Sequence, residues 1–362
     1  MTTEENSQGP GASLTDLRQL VRDLERDERF VAVVGALSRG ESATVDGAWG
    51  SSCALALAGI ARARPSALVV VVPRVGDVEA LAADLASFSH APPIVFPAWE
   101  TLPEEHDTSD PVFAARLRAL AALESPSNPP VLVTSMAALM QPVPSRAVRA
   151  ASTRRFVTGE EADPEELLSW LVSGGLQSST AVALPGEFSR HGGIIDIFAP
   201  DAVDPVRLEF FGDEIESIRT FDAETQRQLG VCESTEVCLV EPAGLGLDVG
   251  ASAEVELFGE SMPEGTWVGL VELPELQSEG QRLLDRVGGC EGWVGVERVL
   301  SGLTEFPSVA VASLSAASME TTCHLSIESI ERFSGPRTRV LEELQETLGV
   351  DERVLVACHN EA

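Results

Sequence analysis

The clearest chemical pattern in the chain is the stretch GAWGSSCA, which begins at Gly47. A glycine turn between a strand and a helix is the setting of a phosphate-binding P-loop, G-x-x-x-x-G-K-[ST]. Aligned from Gly47, the stretch keeps Gly50 in the turn but places Ser52 at the second glycine, Cys53 at the lysine and Ala54 at the hydroxyl. The groups that hold the β- and γ-phosphates and Mg²⁺ are therefore missing from it.

Two interpretations of this stretch remain open. It is either an ordinary turn into a core helix or a degenerate nucleotide-binding loop. Every basic residue of the chain is arginine, so no other segment can supply the P-loop lysine. Both interpretations predict that the chain neither hydrolyses ATP nor binds it tightly, and that it holds no cofactor.

The other candidates for chemistry are weaker. Glu104–Asp107 reads EEHD and could form an acid–base cluster, but a solvated loop is the favoured interpretation because no second motif points to it. Cysteine adjoins histidine at Cys323-His324 and at Cys358-His359, without the C-x₂₋₄-C spacing of a zinc site. We predict no metal site and no catalytic residue.

The elements around the P-loop-like stretch alternate between strands and helices. After a predicted amphipathic helix at Leu14–Glu28, short apolar runs predict strands and longer runs with helical spacing predict helices. The strands are Phe30–Val34, Ala67–Val72, Pro93–Phe96 and Pro130–Thr134, the helices are Val75–Phe88 and Pro111–Leu123, and the later strands are Val255–Phe258, Trp267–Val271, Trp293–Val296 and Val309–Ser313. The alternation predicts an α/β domain with a parallel sheet that the later strands complete.

The middle of the chain follows a different pattern. A predicted helix, Asp163–Leu171, is followed by short runs that favour an antiparallel meander: Gly193–Phe198, Val206–Phe210 and Ile215–Arg219. Period-two alternation places Arg207 on the solvent face, where its removal should leave the core closed. We therefore predict an α+β module inserted into the α/β domain.

Composition limits the possible partners and compartments. The net charge is −32, from 57 acidic and 25 basic residues, and a chain this acidic is repelled by a DNA phosphate backbone. The N-terminus lacks a secretion signal, no apolar run could span a membrane, and the cysteines have no disulfide framework. We expect a cytoplasmic protein that binds DNA weakly or not at all. Two interpretations of the acidity stay open: it only keeps the protein soluble, or it indicates a segment that binds protein rather than nucleic acid or membrane.

The amino-acid sequence of the meander resembles that of a known family. The order GEF…GGIIDIF…P-R-EFF-DEI-SIR-FD-TQR within Gly186–Leu229 is similar to the UvrB-homology portion of the bacterial transcription-repair coupling factors (Mfd). FPAWETLP from Phe96 and VTS from Val133 resemble the same family, so the resemblance covers about Val31 to Cys358.

The resemblance implies a degenerate P-loop-type α/β domain, similar to domain 1 of UvrB, with an inserted UvrA-interaction module. The predicted segments are an N-terminal helix (1–28), the first part of the domain (29–134), the inserted module (135–241), the second part of the domain (242–318), and a linker with the start of a third α/β domain (319–362). A predicted helix at Arg337–Leu348 and a predicted strand at Arg353–Cys358 open that third domain, which the chain would leave truncated.

The resemblance also implies a function. The segment would recruit UvrA to stalled RNA polymerase and pack against the motor domains of its parent. Polymerase binding and ATP- and Mg²⁺-dependent movement on DNA would belong to a C-terminal part outside these residues. The alternative is a UvrB-like ATPase domain with a reworked P-loop, which the lack of lysine disfavours.

In this family, arginines of the module take part in UvrA docking. The corresponding candidates here are Arg190, His191, Arg207 and Arg219. The chain departs from the family twice: His191 stands where arginine usually precedes Gly-Gly, and the usual G-Y-x-R reads GLQS and ends at Ser178. These departures put the strength of UvrA docking in question.

Overall fold

The computed structural model describes residues 16–99, 110–125, 129–240, 254–288, 292–314 and 321–327. The predicted acid–base stretch Glu104–Asp107, the helix Arg337–Leu348 and the strand Arg353–Cys358 lie outside these residues. Within them, the helices are α1 (Arg18–Leu24), α2 (Glu28–Ser38), α3 (Ser51–Ala63), α4 (Gly76–Phe88), α5 (Pro111–Glu124), α6 (Met136–Leu139), α7 (Arg146–Ala151), α8 (Pro164–Ser173), α9 (Leu273–Val287) and α10 (Val296–Leu303).

The strands of the same residues form two large sheets and two short pairs. They are β1 (Ala43–Asp46), β2 (Leu68–Val72), β3 (Ile94–Phe96), β4 (Val131–Ser135), β5 (Val143–Pro144), β6 (Thr153–Val157), β7 (Gln177–Ser178), β8 (Glu187–His191), β9 (Ile194–Phe198), β10 (Val206–Phe211), β11 (Glu214–Phe221), β12 (Gln228–Cys232), β13 (Ser234–Cys238), β14 (Val255–Glu256), β15 (Trp267–Val271), β16 (Ser308–Ala312) and β17 (Thr321–His324).

A seven-stranded parallel sheet forms the centre of the α/β domain, in the order β17-β1-β16-β15-β2-β4-β3. Both faces are covered by helices, and β2 shows the consequence for sequence: all five of its residues are buried. Leu68 and Val70 pack towards α3 and α4, whereas Val69 packs towards α5, α6 and α9. A strand buried on both faces reads as a continuous apolar run, and the predicted α/β class is confirmed.

Two predicted strands are not strands in the structure. Phe30–Val34 lies inside α2, because the Asp27 carboxylate accepts hydrogen bonds from the backbone N–H groups of Arg29 and Phe30 and caps the helix there. That cap also ends the helix predicted over Leu14–Glu28, whose described part, α1, stops at Leu24. Likewise Trp293–Val296 is not a strand: its last residue begins α10, whose spaced apolar residues pack on the domain core.

Two other predictions about this sheet need correction. Only the first two residues of Val255–Phe258 form a strand, β14, which pairs with β5 rather than with the large sheet. Conversely β17, from a segment predicted to be a linker, pairs in parallel with β1, and Cys323 is fully buried in the core. The remaining domain boundaries stay predictions.

The inserted module contains the second sheet, in the order β12-β11-β10-β9-β8-β7. Its neighbours are antiparallel except for β7 and β8, so the predicted meander is confirmed. Leu167 and Leu171 of α8 pack with Ile195, Leu208 and Ile218 on one face, here called the inner face. The chain enters through β6 and leaves through β13, which pair antiparallel. None of the helices in the described residues is long and apolar enough to cross a membrane.

Candidate functional site

The degenerate loop has the backbone arrangement that the sequence predicts. Strand β1 ends at Asp46, a turn follows, and α3 begins at Ser51. Gly47 and Gly50 adopt φ values of +72° and +55°, in the left-handed region that glycine enters without steric cost. The predicted order of strand, glycine turn and helix is therefore confirmed.

The donors of the loop are used within the chain. The N–H of Ala48 donates to the carbonyl of Ala312 (3.1 Å), and that of Trp49 donates to the hydroxyl oxygen of Ser52 (2.8 Å). A working P-loop directs such N–H groups at phosphate. At the lysine position, burial raises the pKa of the Cys53 thiol to about 11, so the side chain is neutral. The site therefore offers a phosphate neither the lysine cation of a P-loop nor these two backbone N–H donors.

Residues 324–327, here called the strap, lie across this loop. Nδ1 of His324 is 2.7 Å from Oδ1 of the buried Asp46 carboxylate, and the N–H of Leu325 donates to the Asp46 carbonyl (2.8 Å). Nε1 of Trp49 donates to the carbonyl of Ile327 (3.3 Å). The space above Gly47 is filled, because an added Cβ there would overlap the carbonyl oxygen of Leu325 and lie 2.9 Å from the His324 ring.

An acidic residue occupies the position that follows the strand of a Walker B motif. Glu272 comes directly after β15, adopts φ +50°, and accepts a hydrogen bond from the Ser313 N–H at 2.7 Å. Its side chain is half-buried and hydrogen-bonded. This carboxylate therefore holds the turn after β16 instead of facing open solvent.

The module's candidate residues divide between the two faces of its sheet. Paired residues share a face, and Arg207 lies opposite Arg219 on one side and Asp196 on the other. We call this the outer face. His191 shares it, whereas Arg190 pairs with Ile195 and lies on the inner face. The structure thus brings three of the four candidates to one face and separates the fourth.

Arg207 forms an ion pair within the module. Its Nε and Nη2 donate to the two oxygens of Asp196 at 2.7 and 2.8 Å, and its guanidinium lies 4.8 Å from the centre of the Phe221 ring. Asp196 is only 3% exposed, and the bond to it raises the pKa of Arg207. Strand alternation correctly places Arg207 on the face away from the module core. Its side chain, however, pairs with a buried acid instead of pointing to water, and the alternation does not reveal that acid.

The other candidates also have partners, but at the surface. Arg219 pairs with Glu209 (3.0 Å), Arg190 pairs with Glu165 of α8 (2.6 Å), and Nε2 of His191 donates to the Thr180 carbonyl (2.8 Å). Exposed pairs of this kind contribute about 0–1 kcal/mol, so a binding partner can displace them.

An exposed apolar residue adjoins Arg219 on the outer face. Val231 lies directly opposite it in the β11–β12 pairing and is 71% exposed. Leu229 lies at the register shift of the same pairing and is also exposed. An arginine beside exposed apolar side chains is a composition typical of the centre of a protein interface. The sequence analysis missed these residues, although the GV pair after Leu229 suggests a strand.

Comparison with known proteins agrees with this architecture. Residues 155–241 match the family described as "UvrB interaction domain". This part of the chain is similar to a UvrB interaction domain. The chain is also similar to proteins named "Transcription-repair-coupling factor", with 36% identity over 216 residues to that of Myxococcus xanthus and 27% over 217 residues to that of Bacillus subtilis.

The extent of these similarities is limited. They cover 58% and 59% of this chain but 18% of each relative, so the chain spans less than a fifth of their length. The protein of Mycobacterium bovis is 36% identical over 177 residues, which are 47% of this chain and 14% of that protein. The resemblance to the transcription-repair coupling factors drawn from the sequence is confirmed.

We predict that Gly47→Ala displaces the strap. The substitution adds a Cβ where Leu325 and His324 lie, at a residue whose φ already disfavours a side chain. Hydrogen exchange at the Leu325 amide should then accelerate by tenfold or more. Gly40→Ala is the matched control, because Gly40 has φ +82° and no atom within 4 Å of an added Cβ. Equal acceleration in both variants would show that backbone strain, not overlap with the strap, is responsible.

We also predict that Arg207→Ala destabilises the module by about 2–4 kcal/mol, because it leaves the buried Asp196 carboxylate unpaired. Urea unfolding measures this change. Adding Asp196→Ala should restore part of the loss, since removing both partners leaves no unpaired charge. Arg219→Ala, which breaks a surface pair, should change stability by less than about 1 kcal/mol. Equal effects of the two arginine variants would contradict the assignment.

Proposed function

We propose that this chain acts in transcription-coupled nucleotide excision repair and that its UvrB interaction domain binds UvrA. The observation that carries the proposal is the match of residues 155–241 to that domain. The names of the similar proteins, transcription-repair-coupling factors, supply the process.

The outer face is the surface that we assign to UvrA. The inner face is covered by α8 and buried in the module core, whereas the outer face presents Arg219 and Val231 to solvent. Arg219 can exchange Glu209 for a carboxylate of the partner, a contact that arginine makes with two parallel hydrogen bonds. His191 lies on this face, with its ring held against Thr180. Arg207 supports the face from within rather than contacting the partner.

The alternative, a UvrB-like ATPase domain, finds no support at the loop. A neutral thiol replaces the lysine, two of the loop N–H groups are bonded within the chain, and the strap fills the space above Gly47. We propose that these residues bind no ATP. The contacts with RNA polymerase and DNA, the ATP-driven movement, and the packing against motor domains that the resemblance implies are proposed for a larger protein that includes this sequence.

We predict that Arg219→Ala weakens UvrA binding at least tenfold, with an unchanged melting temperature. Truncating an arginine that is desolvated in an interface costs about 2–5 kcal/mol, and a factor of ten needs only about 1.4 kcal/mol. Isothermal titration with purified UvrA gives the affinity. Arg190→Ala is the control, because it also removes an exposed arginine but from the inner face. Weaker binding in the control together with wild-type binding by Arg219→Ala would assign UvrA to the opposite face.

We further predict no saturable heat on titration with Mg-ATP. Restoring the motif residues with Cys53→Lys and Ala54→Thr should not create binding, because the strap still occupies the loop. Micromolar binding by the unchanged chain would support the ATPase alternative. Binding by the double variant alone would show that the missing side chains, and not the strap, prevent nucleotide binding.

A further inference from the structure

The carboxyl ends of the parallel strands lie along one side of the sheet, here called the carboxyl edge. Exposed apolar side chains follow the strands there in a regular order. Five neighbouring strands, β17, β1, β16, β15 and β2, are each followed two or three residues beyond their last residue by such a side chain. These five residues, here called the edge row, are Ile327, Trp49, Leu314, Leu273 and Val75, which are between 38% and 79% exposed.

The regularity of the edge row separates it from scattered surface residues. It contains five of the twelve large apolar side chains that are exposed in the described residues. The ends of the other two strands differ: β4 leads into the buried Met136, and the segment after β3 includes the buried Trp99. Contiguous apolar patches on soluble proteins commonly mark binding surfaces. In parallel sheets, ligands bind at this same edge, outside the carboxyl ends of the strands.

The dimensions of the edge row suit a short helix. Neighbouring strands lie about 4.8 Å apart, so four spacings make a row about 19 Å long. A helix of 12 residues, at 1.5 Å per residue, is about 18 Å long. An amphipathic helix laid on an apolar groove is a recurrent mode of protein recognition.

The strap brings the following chain to this row. Ile327 is itself a member, and its carbonyl accepts the hydrogen bond from Trp49. Residues that come next in the sequence therefore start at the row. A short connection within one chain gives the connected segment an effective concentration on the order of millimolar, which favours it over a separate molecule of equal intrinsic affinity.

The sequence beyond the strap predicts a suitable helix. Residues 337–348 read RTRVLEELQETL, and Val340, Leu341, Leu344 and Leu348 share one face at helical spacing, with the glutamates on the other. Residues 328–336 can span up to about 30 Å, at about 3.3 Å per residue. Residues 328–362 lie outside the described part, and the helix is a prediction from sequence.

We propose that residues 337–348 bind the edge row as an amphipathic helix. The carboxyl edge of the degenerate domain would thus hold a segment of its own chain. This proposal is independent of UvrA binding, which uses the outer face of the module.

Hydrogen–deuterium exchange on the full chain tests the proposal. The row variant is Val75→Gln with Leu273→Gln. Neither residue takes part in the hydrogen bonds that hold the strap. The control is Val203→Gln with Val231→Gln, which changes two exposed apolar residues of the module. We expect amides of residues 337–348 to exchange at least tenfold faster in the row variant and at the wild-type rate in the control.

A reciprocal pair of variants completes the test. Leu344→Glu places a charge on the apolar face of the predicted helix and should accelerate exchange as much as the row variant does. Gln345→Glu adds the same charge outside the apolar arc and should have little effect. Combining Leu344→Glu with the row variant should add nothing further, because both remove one contact.

Three results would overturn the proposal. Residues 337–348 could exchange freely in the unchanged chain, or their protection could be unaffected by the row variant. Protection that increases with protein concentration would assign the edge row to a second copy of the chain instead.

Discussion

A buried carboxylate at the end of β1 determines how the carboxyl edge of the α/β domain is used. Asp46 is 2% exposed, and an unpaired charge in such a position costs several kcal/mol. Its partner is the imidazole of His324, which the pairing of β17 with β1 places directly beside it. Because this contact fixes His324, the strap must pass over Gly47, and a glycine is the residue that leaves space for it. The loop that resembles a nucleotide site is thereby filled by the chain itself.

The same constraint acts in the inserted module. Asp196 is buried in the middle strand of the sheet, and Arg207 closes over it with two hydrogen bonds. An arginine held in this way gives up most of its capacity to bind a partner, since both ends of its fork are occupied. Arg219, one strand further, has a surface partner that solvent already screens. The burial of the acidic partner thus distinguishes the two arginines, not their position in the sequence motif. Arg207 stabilises the sheet through a buried acid, whereas Arg219 can contact another protein.

Much of the architecture was predictable from sequence because its signals are local. The apolar run of β2 and the glycine turn before α3 led to the α/β class, and the alternation in β10 led to the meander. Other features depend on contacts between distant residues. The Asp27 cap makes a helix of a β-branched run, and His324 lies 278 residues from Asp46. Asp196 is a single acid in an otherwise apolar run, and it was the one available signal that Arg207 would be paired. Using this signal required the register between β9 and β10, which places the two residues side by side.

The carboxyl edge of the α/β domain also shows how a P-loop-like turn can lose the groups that bind phosphate. Parallel sheets gather helix N-termini at their carboxyl edge, which suits phosphate. Here two of the loop N–H groups at that edge are bonded internally, the lysine position holds a neutral thiol, and the net charge of −32 repels a polyphosphate. Apolar side chains such as Trp49 and Val75 follow the strands instead. Loss of the lysine cation removes the attraction for phosphate. The exposed apolar row offers an attraction for apolar surface instead. Apolar area that leaves water contributes about 25 cal/mol per Å², whatever the charge of the chain. An acidic chain can therefore keep the edge as a binding surface by changing the kind of ligand that the edge accepts.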